Sequence, residues 1–96
     1  MPYGVFVRFE WDPDKAASNL RKHGVSFEDA LRAALEPERL EWMDDRFDYG
    51  EARTRLLGQV DGRLLFVVIA EDDAVVRIIS ARKATTREQE KYYRRR

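Results

Sequence analysis

The sequence predicts an α+β fold of two layers, with a mostly antiparallel sheet, two N-terminal helices packed on one face and a C-terminal helix. Three observations support this fold class. After a first strand pattern come two capped segments with helical spacing, then about four strand-like segments with short turns between them, then a capping box near the C-terminus. Because short turns join antiparallel neighbours, the sheet is expected to consist mainly of hairpins.

The chain is predicted to open with a strand and a helix. Residues 5–11, "VFVRFEW", alternate apolar with wetter positions, as a strand does. Asp12 can cap free N–H groups, and Pro13 suits the first helical position because its missing donor costs nothing there. Gly24 accepts the left-handed conformation that closes a helix. One side of this helix is predicted to carry Ala16, Leu20 and His23.

A second helix is predicted directly after the first. Ser26 is a good N-cap, and Pro37 terminates the helical pattern. The spacing of the apolar residues places them in one stripe, which is expected to lie on the sheet. This stripe consists of Phe27, Ala30, Leu31, Ala34 and Leu35.

Strand patterns follow from residue 39 onward. Residues 39–43 are a short candidate strand, and residues 51–60 alternate Arg53, Arg55 and Leu57 with Thr54 and Leu56. Asp61-Gly62 is a hairpin signal. The continuously apolar run 64–70 is typical of a central strand covered, at least in part, on both faces. The turn "EDDA" then leads into a last strand over 75–82.

A C-terminal helix is predicted to start at Thr85 and Thr86, because Glu88 and Gln89 stand at capping-box spacing from them. The helix has few apolar residues beyond Tyr92 and Tyr93. We therefore expect it to bury little, and to fray, to dock weakly or to become ordered on a partner.

Composition predicts one cytoplasmic domain over residues 1–96. Cysteine is absent and histidine occurs once, so a disulfide scaffold and a structural zinc site are not expected. The longest apolar run is too short to span a bilayer. Charge is uneven along the chain: residues 36–51 hold seven acidic and two basic side chains, whereas residues 77–96 hold eight basic and two acidic. The basic end suits either a polyanion or a solvated tail.

Four arginines lie within or at the ends of predicted strands: Arg53, Arg55, Arg77 and Arg82. A guanidinium group can donate two parallel hydrogen bonds to phosphate oxygens, so this pattern indicates a phosphodiester substrate. Surface ion pairs with Glu51, Glu71 or Asp72 are the alternative. Arg77 and Arg82 are five residues apart, so an unbroken strand would point them to opposite faces of the sheet.

Lys22, His23 and Glu51 are the candidates for proton transfer. His23 is the only histidine, and it follows Lys22 at a tight turn where a general acid or base could sit. The alternative is that both cations simply complement the dipole of the first helix. Glu51 is the best carboxylate candidate, with a salt bridge to Arg53 or Arg77 as its structural alternative.

Three stretches, "FEWDPDKAASNLRKHGVSFEDA", "GEAR" and "RIISARKATTREQEKYY", closely resemble the BrnT family of bacterial type II toxins in order and spacing. That family belongs to the RelE/ParE-like superfamily, and the resemblance runs from Phe9 to Tyr93. It implies a RelE-like fold and a ribonuclease that halts translation. The family's motif positions fall on Lys22, His23, Glu51, Arg53, Arg77, Arg82 and Lys83. One departure from the family is the acidic turn "EDDA", which would weaken phosphate binding if it lay beside the RNA.

The implied reaction needs no metal or other cofactor. The 2′-hydroxyl attacks phosphorus, Glu51 or His23 takes its proton, Lys22 or His23 supplies a proton or support, and the arginines stabilise the extra charge. Further RNA contacts are expected from the neighbouring basic residues Arg55, Lys83, Arg87 and Lys91.

The resemblance also implies a partner, a small BrnA-like DNA-binding antitoxin through which operator DNA is bound, with a dimer of toxin-antitoxin pairs as one possible assembly. Two rival functions stay open. One is a ParE-like toxin that poisons another target without cutting RNA. The other is a degenerate toxin that acts mainly as an antitoxin-binding corepressor.

Overall fold

The structure is a computed structural model that describes residues 7–95. Over these residues it confirms the predicted α+β class, with three helices and one mostly antiparallel sheet. In chain order the elements are β1 (Arg8–Glu10), α1 (Pro13–His23), α2 (Phe27–Ala34), β2 (Leu40–Met43), β3 (Arg53–Val60), β4 (Arg63–Asp72), β5 (Val75–Lys83) and α3 (Thr86–Tyr93).

The five strands form a single sheet in the order β1-β5-β4-β3-β2. Strands β2 to β5 pair antiparallel with their neighbours in sequence, whereas β1 runs parallel to β5 at the edge. The predicted start of β1 at residues 5 and 6 lies outside the described residues. Within β1, Phe9 packs against the core while Arg8 and Glu10 are exposed, as the alternation predicts.

Both ends of α1 follow from the sequence, but its packed side does not. Asp12 accepts hydrogen bonds from the backbone N–H groups of residues 14 and 15, and Gly24 closes the helix at a φ of 68°. The predicted apolar side is wrong at Leu20, which is 51% exposed. Asn19 is buried instead, because its amide forms hydrogen bonds with backbone groups that would otherwise be unsatisfied in the core.

Helix α2 packs directly on the sheet through small residues. Phe27, Ala30, Ala33 and Ala34 are buried, whereas the predicted stripe residue Leu35 is 47% exposed. The reason is a close approach between backbones: a Cβ atom on Gly58 of β3 would lie 2.2 Å from the carbonyl oxygen of Ala33. Such an approach leaves room only for the alanine side of the helix.

The β3–β4 hairpin has the turn that the sequence predicts. Asp61 and Gly62 have positive φ values of 50° and 80°. Positive φ at both central residues is the signature of a type I′ turn, whose twist matches that of the two strands.

A β-bulge in β5 decides which side chains share a face of the sheet. The register between β4 and β5 shifts at Val68 and Ile69. As a result Ile78 and Ala81, three residues apart, both point into the core under α1 and α2. The same shift places Arg77 opposite Ala70 and Arg82 opposite Phe66, so both arginines lie on the other face.

Helix α3 covers part of that other face but buries little, as expected, since Tyr92 is its one buried residue. Tyr92 is buried in a second apolar cluster with Leu57, Leu64 and Phe66. Its hydroxyl donates to Glu36, and burial together with this bond raises the pKa of Tyr92 to about 12. One tyrosine thus docks a helix that is otherwise polar.

Within residues 7–95, no helix is both long enough and apolar enough to cross a membrane.

Candidate active site

Four arginines share the sheet face opposite α1 and α2, which we call the arginine face. Across β3, β4 and β5 the register aligns three rows of side chains on this face. These rows are Arg53-Ala70-Arg77, Arg55-Val68-Ser80 and Leu57-Phe66-Arg82.

Glu51 forms ion pairs with both arginines at one end of the arginine face, Arg53 and Arg77. Its carboxylate lies 2.5 Å from Arg77 and 3.1 Å from Arg53, above the small side chain of Ala70. The hydrogen bond from Arg77, with a weaker contribution from Arg53, holds the pKa of Glu51 below its usual range. Both predicted salt-bridge partners of Glu51 are therefore present together.

Arg82 is held at the opposite end of the arginine face by an aromatic ring and a carboxylate. Its guanidinium lies 4.1 Å from the ring centroid of Phe66 and forms a two-point hydrogen bond with Glu88 at 2.8 and 3.0 Å. Burial acts to raise the pKa of Glu88, but the bonds from Arg82 and from the backbone of Thr85 outweigh it, so the pKa is lowered. Glu88 also completes the predicted capping box with Thr85.

His23 and Arg82 line the same pocket, which has a volume of about 240 Å³ and is also lined by Arg46, Phe66 and Ser80. The residues that line this pocket carry an imidazole, two guanidinium groups, a hydroxyl and an aromatic ring. Groups of these kinds can exchange a proton and bind a phosphate.

Asn19 positions His23. Among residues 7–95, β1 pairs with residues 75–77 of β5, and the edge of β5 near Ala81 faces α1 instead of another strand. The Asn19 side chain donates to the Ala81 carbonyl at 2.8 Å and accepts from its N–H at 3.1 Å. This pairing fixes the last turn of α1, and His23 follows Asn19 by one turn. Asn19 was not among the predicted site residues. It lies three residues after Ala16, and this spacing places both residues on the packed side of α1.

Arg46 was also missed, because it lies between β2 and β3 in a segment for which no helix or strand is predicted. Asp44 anchors this segment, with a fully buried side chain that binds Arg46 at 2.8 and 2.9 Å. Arg55 approaches the same carboxylate at 3.7 Å. The hydrogen bond from Arg46 lowers the pKa of Asp44 from 3.8 to about 2, although burial acts in the opposite direction.

The low pKa of Asp44 predicts acid-dependent stability. A carboxyl whose pKa falls on folding stabilises the fold above its unfolded pKa and loses this contribution as pH falls through the folded value. We expect Asp44→Asn to lower the free energy of unfolding by about 2 kcal/mol at pH 7. The difference from the parent should shrink between about pH 4 and pH 2.

Denaturant unfolding at several pH values, with the exposed neighbour Asp45→Asn as control, measures this effect. A difference at Asp44 that stays constant down to pH 2 would show that the carboxylate charge contributes nothing.

The remaining predicted residues lie around the pocket or away from it. Lys22 is exposed next to His23, and Arg87 is exposed on the first turn of α3. The ammonium of Lys91 lies 4.2 Å from the ring centroid of Trp42, and the guanidinium of Arg55 lies 5.3 Å from the same centroid. Lys83 pairs with Leu65, so it leaves β5 on the side of α1 and α2, opposite Arg82.

In the described part of the chain, no three His, Cys, Asp or Glu side chains are grouped so as to hold a metal ion.

The fold and this surface together define a small α+β protein that presents arginines from a sheet and one histidine from the end of a helix, an arrangement suited to a phosphodiester. Residues 11–88 match the family model described as the ribonuclease toxin, BrnT, of type II toxin-antitoxin systems. The chain belongs to this family. It is thus a ribonuclease toxin of the type II class, a class that implies an RNA substrate and an antitoxin protein. A search of the curated proteins found no match.

Proposed function

We propose that the chain is a metal-independent endoribonuclease whose reaction takes place in the pocket between His23 and Arg82. The observation that carries this proposal is the β5 bulge, which turns Arg82 onto the arginine face beside His23. With the opposite orientation, Arg82 would point toward α1 and α2, and the histidine would have only Arg46 as a cationic neighbour in the pocket.

The His23 end suits the chemistry better than the Glu51 end. Arg77 and Arg82 pair with residues four apart on β4, which places their backbones roughly 13 Å from each other. Beside Arg77, the pocket wall includes the carboxylates of Glu51 and Asp72, the latter from the acidic turn. These repel phosphate, and the lowered pKa of Glu51 makes it a weak base. We assign Glu51 the role of holding Arg53 and Arg77 for a neighbouring phosphate.

The reaction follows from the groups in the pocket. His23 takes the proton of the 2′-hydroxyl, whose oxygen attacks phosphorus, and the 5′-oxygen leaves with the proton that the imidazolium returns. The products are a 2′,3′-cyclic phosphate and a 5′-hydroxyl. Arg82 and Arg46 stabilise the extra negative charge on the phosphoryl oxygens, and Lys22 adds positive charge next to the imidazole. Arg55, Arg87 and Lys91 contact the rest of the RNA strand.

The antitoxin is proposed to be a BrnA-like DNA-binding protein that carries the chain to operator DNA in the cytoplasm, as a dimer of toxin-antitoxin pairs. The type II class supports the protein partner. Copurification with the product of an adjacent short reading frame, followed by sizing of the complex and a gel shift on the operator, tests the finer assignments. A partner without DNA binding would contradict them.

A non-cutting toxin or corepressor is the second candidate. It is favoured by the ion pairs on the arginine face, where Arg53 and Arg77 share Glu51, Arg55 approaches Asp44, and Arg82 binds Glu88. A phosphate would have to compete with these carboxylates. A cleavage assay separates the two candidates.

Cleavage is expected to persist in excess EDTA, because the guanidinium groups supply the positive charge that a metal ion would otherwise provide. The measurement is the rate of RNA cleavage with EDTA and with added Mg²⁺. An Arg82→Ala preparation, purified in the same way, controls for contaminating nucleases. Strict dependence on added Mg²⁺ would contradict the mechanism.

A further inference from the structure

Phe47 is an aromatic side chain that folding leaves uncovered. It is 69% exposed, the largest exposed fraction of any aromatic residue within residues 7–95. Single exposed apolar residues are common and need no explanation by themselves. The residues around Phe47, on the segment between β2 and β3, are what indicate a role in binding.

The segment that carries Phe47 is anchored at its start. Asp44 is buried, binds Arg46 and extends the sheet through its N–H, which donates to the carbonyl of Arg53 at 2.8 Å. Further along, the N–H of Gly50 donates to Asp48 at 3.0 Å within the exposed part of the segment. Phe47 therefore follows a buried anchor by three residues, and its side chain faces solvent.

Phe47 also has a rigid support. Its ring meets Tyr49 edge to face, with centroids 5.8 Å apart. The Arg53 guanidinium lies 4.0 Å from the centroid of the same tyrosine ring. The preceding residue, Arg46, lines the His23 pocket. Phe47 thus belongs to a segment that has Arg46 in the His23 pocket before it and Tyr49 in contact with Arg53 after it.

We propose that Phe47 stacks on an unpaired base of the RNA next to the cleaved phosphate, with Tyr49 as its support. This inference rests on the proposed ribonuclease function. Proteins that bind single-stranded RNA combine cationic contacts to the backbone with aromatic rings on which bases stack. Stacking on one ring tolerates every base, so Phe47 contributes affinity and strand position more than sequence preference.

The test is binding of a short fluorescent 2′-O-methyl RNA oligonucleotide, which lacks the attacking hydroxyl and stays intact. Phe47→Ala is expected to weaken binding by roughly 10-fold or more, the scale of losing one stacking aromatic residue. Phe47→Trp should retain affinity. Met43→Ala is the matched control, because Met43 is 74% exposed but pairs with Thr54 and so lies on the side of α1 and α2.

A series of oligonucleotides with one abasic position each identifies the stacked base. One position should weaken binding to the parent chain by a similar factor yet leave Phe47→Ala unaffected, since both changes remove the same contact. Equal affinity of parent and Phe47→Ala would overturn the inference. So would a variant that binds RNA normally but fails to copurify with the antitoxin, because Phe47 would then be a protein contact.

Cleavage of ordinary RNA, measured in parallel, distinguishes failure of the two proposals. If the parent cuts RNA, Phe47→Ala should raise KM with little change in kcat. A parent chain that cuts while Phe47→Ala binds and cuts equally well overturns the stacking inference alone. A parent chain that binds through Phe47 without cutting overturns the ribonuclease mechanism and leaves the base contact standing.

Discussion

Replacing Arg82 with alanine is expected to slow RNA cleavage by roughly 100-fold or more, the scale seen when one preorganised charge-stabilising donor is removed. Arg82 is already held by Phe66 and Glu88, so its guanidinium is positioned before RNA arrives. Arg82→Lys should also be impaired, because lysine keeps the charge but loses the planar two-point contact. The measurement is single-turnover cleavage, accompanied by thermal unfolding of each variant.

Arg63→Ala is the matched control for Arg82→Ala. Both arginine side chains are 36% exposed and both bind a carboxylate, but Arg63 pairs with Asp29 away from the pocket. Each variant should lose about 1 kcal/mol of stability, as partly exposed ion pairs do. Only Arg82→Ala should lose cleavage. Normal cleavage together with the same fall in melting temperature would make Arg82 a structural residue.

Arg77→Ala extends the same measurement to the other end of the arginine face. The sequence predicts that the arginines together stabilise the charge on the cleaved phosphate, but the distance between Arg77 and Arg82 assigns Arg77 to a neighbouring phosphate. Its cleavage defect should therefore be smaller than that of Arg82→Ala and lie mainly in KM. A larger defect at Arg77 would move the reaction to the Glu51 end.

Replacing Gly58 with alanine is expected to destabilise the fold by about 3 kcal/mol, at the upper end for an overpacked core. The added Cβ would lie 2.2 Å from the oxygen, 2.7 Å from the carbonyl carbon and 2.9 Å from the Cα of Ala33. All three are backbone atoms, so no side-chain rotation relieves the contact and α2 itself must move. For a chain of this size the melting temperature should fall by at least about 12 °C.

Gly62→Ala separates this steric effect from the conformational cost of losing a glycine. Nothing lies within 4 Å of a Cβ at Gly62, but its φ of 80° strains any other residue. That strain costs about 1–2 kcal/mol. Equal destabilisation by the two substitutions would show that α2 does not approach β3 as closely as described.

Local signals were sufficient for most of the fold. Asp12, Gly24 and Ser26 bound the first two helices because capping depends on backbone groups only a few residues away. The Asp61-Gly62 turn needs only its own φ values. Which side of each helix is buried was predicted less well, since Leu20 and Leu35 are exposed while Asn19 and Ala33 are buried. The close approach at Gly58 and the open edge of β5 selected those sides.

Composition, periodicity and caps are local properties, so the fold class, the order of its elements and the arginines, histidine and glutamate available for chemistry follow from the chain alone. Which of these residues meet is a property of the folded molecule. The bulge that turns Arg82 onto the face of Arg77 arises in the pairing of β5 with β4. The bond between Asn19 and Ala81 joins residues 62 positions apart. Such contacts depend on strand register and helix placement, which no short stretch of sequence encodes.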